Sequence, residues 1–272
     1  MKRLFKLLIL LSPLLALGWW IHPWLSSGRA EGNTELSIVS WNLMALAEYG
    51  REGGDGLLQL APLDPDVVCL QEIPFKRATM QETQLMVGGL EYWEYFPYEG
   101  QNSSGLAIFS RWPIRRSWRQ LLPPEEESRV ICMCELDVEG RSFYVATVHF
   151  PNSDIHDLGV RKTMRNELLG TSMRTIQAEA VVNWLEPWHQ LPLALVGDFN
   201  TFPFSSAWRR LIRDYHDAFP LNSVFTGTFQ ANYDIEVKLD HVFLSDKVTA
   251  LETRIPRIAG SDHFPVFARI QF

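Results

Sequence analysis

Short apolar runs rich in β-branched and aromatic residues recur along residues 35–272, and each of them stops at a polar residue or a turn. They are "LSIVSWNL", "DVVCLQEI", "GLAIFSR", "RVICMCELDV", "SFYVATVHF", "LPLALVGDFN", "LDHVFLS" and "FPVFARIQF". Runs of this length and composition predict β-strands. "VVCL" is continuously apolar whereas "SFYVATVHF" alternates, so we expect central strands covered on both faces beside strands covered on one.

Two stretches with helical periodicity lie between these strands, at residues 173–188 and 205–219, and each begins near a Ser or Thr that can cap a helix. No repeat or low-complexity linker interrupts residues 35–272. The pattern therefore predicts one strand-rich α/β domain, with two packed sheets flanked by helices. Three cysteines sit inside apolar runs, and we expect them to be core residues without a disulfide. They are Cys69, Cys132 and Cys134.

The charge balance limits the partners of this domain. The chain of 272 residues carries 25 Lys and Arg against 32 Asp and Glu, a formal net charge of -7. This balance excludes a strongly basic protein that coats nucleic acid. A hydrophobic share of 46% and a charged share of 21% are ordinary for a globular protein and exclude a disordered chain.

The first 30 residues have the pattern of a membrane-targeting segment. Lys2, Arg3 and Lys6 precede "LLILLSPLLALGWWIHPW", and no acidic residue occurs before Glu31. The apolar run is borderline in length for a membrane span. We expect residues 1–30 to act as a retained signal-anchor, and a cleaved signal peptide is the alternative. Either predicts that the domain at 35–272 lies outside the cytoplasm, anchored to the membrane or, after cleavage, secreted or periplasmic.

Polar residues recur where the apolar runs stop. Strand ends project side chains into the crevice above a sheet, so residues far apart in sequence can meet there without a local motif. Acids rarely follow such apolar runs unless they are paired or bind a metal. The predicted site therefore collects Asn42, Glu72, His149, Asp198 with Asn200, and Asp262 with His263.

The order "SWNL", "LQEI", "GLAIFSRWPI", "ATVHF", "GDFNTFP", "LDHVF", "GSDHFPV" resembles the endonuclease/exonuclease/phosphatase superfamily, and the resemblance covers about residues 35–272. It implies a four-layered α/β sandwich of two packed, mostly antiparallel β-sheets flanked by helices. It also implies cleavage of phosphate esters that depends on Mg²⁺ or Mn²⁺. Seven motifs in family order make this resemblance far more specific than "GDFN" alone.

The resemblance also implies a role for each polar position. Asn42, Glu72 and Asp262 would form the metal site, with one ion or two. Asp198 would position or deprotonate the attacking water, and Asn200 would donate its amide to a phosphate oxygen. Asp240 would orient His263, which would contact the phosphate or transfer a proton. The histidine at position 149 resembles the deoxyribonuclease I and sphingomyelinase branches more than the exonuclease III branch, and it would act either as a general acid or as a phosphate binder. "QNSSGLAIFSR" has no obvious equivalent of the acid that pairs with this histidine in deoxyribonuclease I.

The sequence leaves more than one class of substrate open. Arg161, Lys162 and Arg165 follow His149 in a long segment, and they either contact the substrate or form a solvated helix face. We expect a monomeric phosphodiesterase that acts on nucleic acid or on phospholipid head groups. A catalytically inactive binding or scaffold module is the alternative, but it would show gaps among the core polar positions, and none is missing.

Overall fold

A computed structural model of the chain describes residues 32–43, 56–74, 77–99, 104–125, 129–152, 160–220, 226–231 and 235–272. The predicted membrane-targeting segment at 1–30 lies outside these residues. Within the described ranges, no helix is both long enough and apolar enough to cross a bilayer.

Strands make up most of the described chain. They are β1 (Glu35–Asn42), β2 (Val67–Pro74), β3 (Tyr92–Pro97), β4 (Ser104–Ser110), β5 (Ile114–Leu121), β6 (Val130–Val138), β7 (Arg141–His149), β8 (Leu193–Asp198), β9 (His216–Asp217), β10 (Phe229–Ala231), β11 (Ile235–Val237), β12 (Asp240–Leu244), β13 (Thr249–Arg254) and β14 (Val266–Gln271). The described helices include α1 (Arg77–Met86), α2 (Val160–Leu169), α3 (Met173–Leu185) and α4 (Ser206–Leu211).

Two six-stranded sheets carry the fold. Their strand orders are β13-β14-β1-β2-β4-β3 and β5-β6-β7-β8-β12-β9, and β10 and β11 form a separate hairpin pair. Each large sheet contains one parallel pair, β1 with β2 and β7 with β8, and its other neighbours are antiparallel. The carboxyl ends of the two strands in each parallel pair therefore lie at one edge of their sheet.

The sheets pack face to face, and helices cover their outer faces. The core between the sheets includes Ile38 and Val67 from the first sheet and Val145 and Val196 from the second. Helices α3 and α4 pack on the outer face of the second sheet, and α1 with residues 57–63 covers the outer face of the first. Four layers result, so the predicted α/β sandwich is confirmed. Each large aliphatic or aromatic side chain buried in these layers contributes about 1.5–3 kcal/mol.

The three cysteines are buried and unpaired in the core, as predicted. The helix predicted at 205–219 is wrong beyond its first turns, because α4 ends at Leu211 and His216 and Asp217 pair with β12 as an edge strand. The cause is tertiary, since the Asp217 carboxylate accepts a hydrogen bond from Lys238 Nζ at 3.3 Å and contacts His241 Nδ1 at 2.9 Å. Pairing with β12 and this buried ion pair hold His216 and Asp217 in the second sheet, so the chain leaves the helical path after Leu211.

Candidate active site

Strand register brings the predicted polar residues to one edge of the sandwich. In the second sheet, Asp198 at the end of β8 is paired in register with His149 on one side and with Asp240 on the other. In the first sheet, β1 ends at Asn42 and Glu72 lies near the end of β2. Because the two sheets are packed face to face, their polar strand ends share one cleft.

Asn42 links the carboxylates of the two sheets. Its side chain is 2% exposed, and its amide Nδ2 donates to Asp198 Oδ2 at 2.9 Å and to Glu72 Oε1 at 3.2 Å. Gln71, which is paired with Asn42 in the first sheet, is buried, and its amide donates to Ser40 Oγ and to Thr147 Oγ1, both at 3.0 Å. The bonds from Asn42 to Asp198 and from Gln71 to Thr147 cross between the sheets and hold the two halves of the site together.

Glu72 reaches the cleft through a β-bulge. It has a φ of 59°, and the pairing of β2 with β4 shifts between Gln71 and Ile73. Such a bulge turns a side chain out of the ladder and is common beside active sites. The Glu72 side chain is 21% exposed, so this carboxylate remains open to a ligand from solvent.

Asp198 is a fully buried carboxylate of the cluster. Gly197 before it has a φ of 141°, and a Cβ there would lie 2.1 Å from the Val148 carbonyl oxygen, so the strand end requires glycine. The Asp198 carboxylate accepts from the Asn200 backbone amide at 2.8 Å and from Asn42. Complete burial raises the pKa of Asp198 to about 7, although the neighbouring His263 opposes the shift.

Asn200 reaches the site through a turn and does not extend strand β8. Its φ of 45° is left-handed, so the chain turns after Asp198 and does not continue the strand. Its side-chain amide donates to the Phe150 carbonyl at 2.9 Å and to Asp198 Oδ2 at 3.1 Å. In this arrangement Asn200 supports Asp198, while its predicted contact with a phosphate oxygen stays a prediction.

Asp240 and His263 are in hydrogen-bond contact. Asp240 Oδ2 lies 2.8 Å from His263 Nδ1, and His263 Nε2 faces Asp198 Oδ2 at 3.7 Å. Burial alone would lower the pKa of His263, but the carboxylates of Asp240 and Asp198 outweigh it and raise that pKa to about 10. His263 precedes β14, which runs antiparallel to β1, so it reaches the shared edge at the start of a strand and not at an end.

His149 is held by residues that the sequence did not indicate. Its Nδ1 lies 2.9 Å from both the Tyr98 hydroxyl and Arg129 Nη1, and its Nε2 lies 3.5 Å from Glu72 Oε1 and 3.6 Å from Asp198 Oδ2. Burial, Arg129 and His263 lower the pKa of His149 well below its usual range. The residues that fill the place of the missing acidic partner, Tyr98 and Arg129, match no motif.

The donor set fits a hard divalent cation. Carboxylate oxygens of Asp198 and Asp240 and a ring nitrogen of His263 lie within 4.8 Å of one another, and Glu72 adds a more accessible carboxylate. Among the described residues, the buried atoms His149 Nε2 and Asp240 Oδ1 have no hydrogen-bond partner. Mg²⁺ and Mn²⁺ take carboxylate and amide oxygens, so the carboxylates of this cleft and the Asn42 amide suit the predicted metal, whereas the protonated ring of His263 is not a ligand. Asp262 lies next to His263, with its Oδ1 at 3.3 Å from Ser261 Oγ.

The predicted substrate-binding residues lie on α2, which follows the site in sequence. Lys162 and Arg165 are exposed, and the side chain of Arg161 lies outside the described part. A buried ion pair between Glu167 of α2 and Arg174 of α3 holds α2 in place. Arg174 Nη1 also donates to the Pro151 carbonyl at 3.3 Å. No contact of the described residues joins Lys162 or Arg165 to the carboxylate cluster, so their substrate role stays a prediction.

The four-layered sandwich and its edge cluster of carboxylates, amides and histidines define the class of phosphoesterases built on two packed sheets. The sequence matches the family model described as "Endonuclease/Exonuclease/phosphatase family" over residues 39–263, so the chain belongs to this family, whose members hydrolyse phosphate esters. A comparison with curated proteins found no match.

Solved structures with the same fold share little sequence with this chain. A family member from Beutenbergia cavernae is 18% identical with a TM-score of 0.66, covering 88% of this chain and 72% of that one. D. rerio TDP2 complexed with single strand DNA product is 17% identical with a TM-score of 0.65, covering 88% and 100%. The Bacteroides thetaiotaomicron mannosyl-6-phosphatase is 18% identical with a TM-score of 0.64, covering 87% and 100%.

Proposed function

We propose that this protein is a Mg²⁺- or Mn²⁺-dependent phosphodiesterase that hydrolyses its substrate by in-line attack of an activated water. The observation that carries the proposal is Asp198, a fully buried carboxylate with a pKa of about 7 that is oriented by amide donors and faces a protonated histidine. A base with a pKa near the working pH is matched to proton abstraction from water.

Each remaining residue has a role in this scheme. Asp198 accepts the proton of the attacking water, and Asn42 and Asn200 hold its carboxylate in place. His263, kept protonated by Asp240, directs Nε2–H toward the oxygens of the phosphoryl group. Glu72, Asn42 and Asp262 would hold the cation, which supplies positive charge to the phosphoryl and departing oxygens when bound.

The substrate class follows from chemistry and from the structural relatives together. TDP2 was solved with a single-strand DNA product, and another relative is a mannosyl-6-phosphatase, so the shared requirement is a phosphate ester. Nucleic acid and phospholipid head groups are the two diester classes we propose. The complete set of polar positions argues against an inactive scaffold.

A substrate panel tests the proposed function. The full-length chain with Mg²⁺ would be incubated with plasmid DNA, RNA, sphingomyelin, inositol phosphates and bis(4-nitrophenyl) phosphate, with 4-nitrophenyl phosphate as the monoester control. We expect diester hydrolysis that Asp198→Asn abolishes. Hydrolysis of monoesters alone would contradict the assignment as a phosphodiesterase. If a folded protein hydrolysed none of the compounds in the panel, the inactive scaffold would be favoured.

The Asp240–His263 pair gives a second test. If Asp240 acts only through the imidazole, Asp240→Asn and His263→Ala should each lower kcat by about 10²–10⁴-fold, and the double variant should be no slower than the worse single one. Thermal unfolding would check that each variant is folded. Losses that multiply in the double variant would show that the two residues act independently.

We also propose that residues 1–30 are retained as a signal-anchor, which places the catalytic domain outside the cytoplasm. The proposal rests on the basic start and on the apolar run that follows it. The full-length chain should pellet with membranes, resist carbonate extraction and keep its original N-terminus. A soluble product that begins near Arg29 would overturn retention.

A further inference from the structure

The histidine at the end of β7 has an unusual set of partners. A histidine that serves as a general acid carries protons on both nitrogens, and so its inner nitrogen requires a hydrogen-bond acceptor. At His149 the inner nitrogen, Nδ1, meets Arg129 Nη1 and the Tyr98 hydroxyl, both at 2.9 Å. The Arg129 guanidinium also stacks over the Tyr98 ring, with Cζ 5.2 Å from its centroid.

Arg129 decides which nitrogen carries the proton. A guanidinium has only donors and keeps its charge in proteins, so a nitrogen that it contacts at 2.9 Å must be an acceptor. Nδ1 is therefore unprotonated, and the proton of the neutral ring is on Nε2. An imidazolium at this position would bring two positive groups into contact in a buried site.

Tyr98 adds a second donor to the same nitrogen. The Tyr98 hydroxyl lies 2.9 Å from His149 Nδ1, and it must donate there because the contact with Arg129 makes this nitrogen an acceptor. The Arg129 guanidinium lies over the Tyr98 ring, so the two side chains also contact each other beside His149.

We propose that Arg129 and Tyr98 are positioning residues that fix His149 with Nε2–H directed into the cleft, as a permanent hydrogen-bond donor to a phosphoryl oxygen and not as the acid that protonates the leaving group. This deepens the proposed function and rests on it for the identity of the ligand. The geometry points to this role because Nε2 is buried without a hydrogen-bond partner, 3.5 Å from Glu72 Oε1 and 3.6 Å from Asp198 Oδ2.

The tautomer can be measured without any turnover. In the full-length chain labelled with ¹⁵N-histidine, the signals missing from the His149→Gln spectrum belong to His149. We expect an acceptor-type shift at Nδ1 and a protonated shift at Nε2 at neutral pH. A proton on Nδ1, alone or together with Nε2, would overturn the proposal whatever the enzyme hydrolyses, and loss of activity on every substrate would leave this readout intact.

Leaving-group dependence separates a donor from an acid. Methyl 4-nitrophenyl phosphate and methyl phenyl phosphate differ in how much the departing oxygen needs a proton. We expect His149→Ala to lower kcat by a similar factor for both, about 10²–10³-fold, as for loss of one preorganised donor. His149→Gln, which keeps an N–H donor but cannot transfer a proton, should stay within about tenfold of wild type. A much larger loss for the phenyl ester, with Gln as poor as Ala, would overturn the proposal.

Variants of Arg129 test positioning directly. Arg129→Met should let the His149 proton distribute over both nitrogens and lower kcat about 10–100-fold with little change in KM, and Arg129→Lys should recover part of the loss. The matched control is Arg115→Met, which removes a surface ion pair with Asp137 on the exposed edge strand β5. An Arg129→Met protein whose His149 signals and kcat equal those of Arg115→Met would contradict the role.

Discussion

Replacing Asp198 with Asn is expected to lower kcat by about 10³-fold or more, since the variant loses the base that accepts the proton of the attacking water. The change is nearly isosteric, but an amide would also direct N–H donors at Asn42 and Asn200, which already donate to this side chain. Single-turnover hydrolysis of bis(4-nitrophenyl) phosphate would measure the effect.

A matched control is available at the opposite edge of the same sandwich. Asp66 precedes β2, and its carboxylate accepts from the Ser37 backbone and hydroxyl, both at 2.9 Å. Asp66→Asn makes the same chemical change and should leave kcat unaltered. Equal losses in the two variants would show that stability, and not the base, explains the Asp198 result.

The pH dependence follows from the same residue. Asp198 must be deprotonated to act as a base, and burial raises its pKa to about 7, so kcat/KM should rise with pH through an acid limb at or below that value. A cation bound beside the carboxylates moves this limb downward, because it favours the charged form. His263, with a pKa raised to about 10, keeps its proton across the neutral range. A rate that falls between pH 5 and 7 would contradict the assignment of Asp198.

The central strands could be predicted from sequence because they are buried on both faces and read as apolar runs. Strands β3, β5 and β13 could not be predicted because they lie at sheet edges, where exposed side chains such as Arg116 and Arg119 replace the apolar pattern. The helix after Ser205 was predicted too long because its sequence is amphipathic. Its end depends on the buried Asp217 group, whose partner Lys238 is distant in sequence.

Some residues of the candidate site could be predicted from local sequence patterns, and others could not. Residues at strand ends could be found because a polar side chain after an apolar run is conspicuous, as with Asn42 and Asp198. Tyr98 and Arg129 could not, since they act through tertiary contacts to His149 and to each other, and neither stands where an apolar strand run stops at a polar residue. The sequence revealed that the acid expected opposite His149 was missing, and only packing revealed what replaces it.

Removing divalent metal is expected to reduce hydrolysis to the uncatalysed background, and Mg²⁺ or Mn²⁺ should restore it. Glu72, Asp198 and Asp240 concentrate negative charge in one cleft, and without a cation this charge repels the phosphate of the substrate. Hard oxygen donors dominate the cluster, and the three cysteines are buried in the core away from it, so soft metals have no thiolate ligands there. EDTA treatment followed by titration with each ion would measure the dependence.

Binding can be separated from turnover by the unfolding temperature. A cation that binds only the folded chain stabilises it by about 2.7 kcal/mol at a hundredfold excess over Kd, so Mg²⁺ should raise the Tm of EDTA-treated protein. Glu72→Gln removes one charged ligand and should require more Mg²⁺ for both the rise in Tm and the recovery of kcat. Glu35→Gln, at the start of the same sheet's β1, serves as its control. Full activity in EDTA would refute the metal requirement. A carboxylate that binds the ion must contribute to the affinity of the site for Mg²⁺, so an unchanged Mg²⁺ titration in Glu72→Gln would show that Glu72 is not a metal ligand.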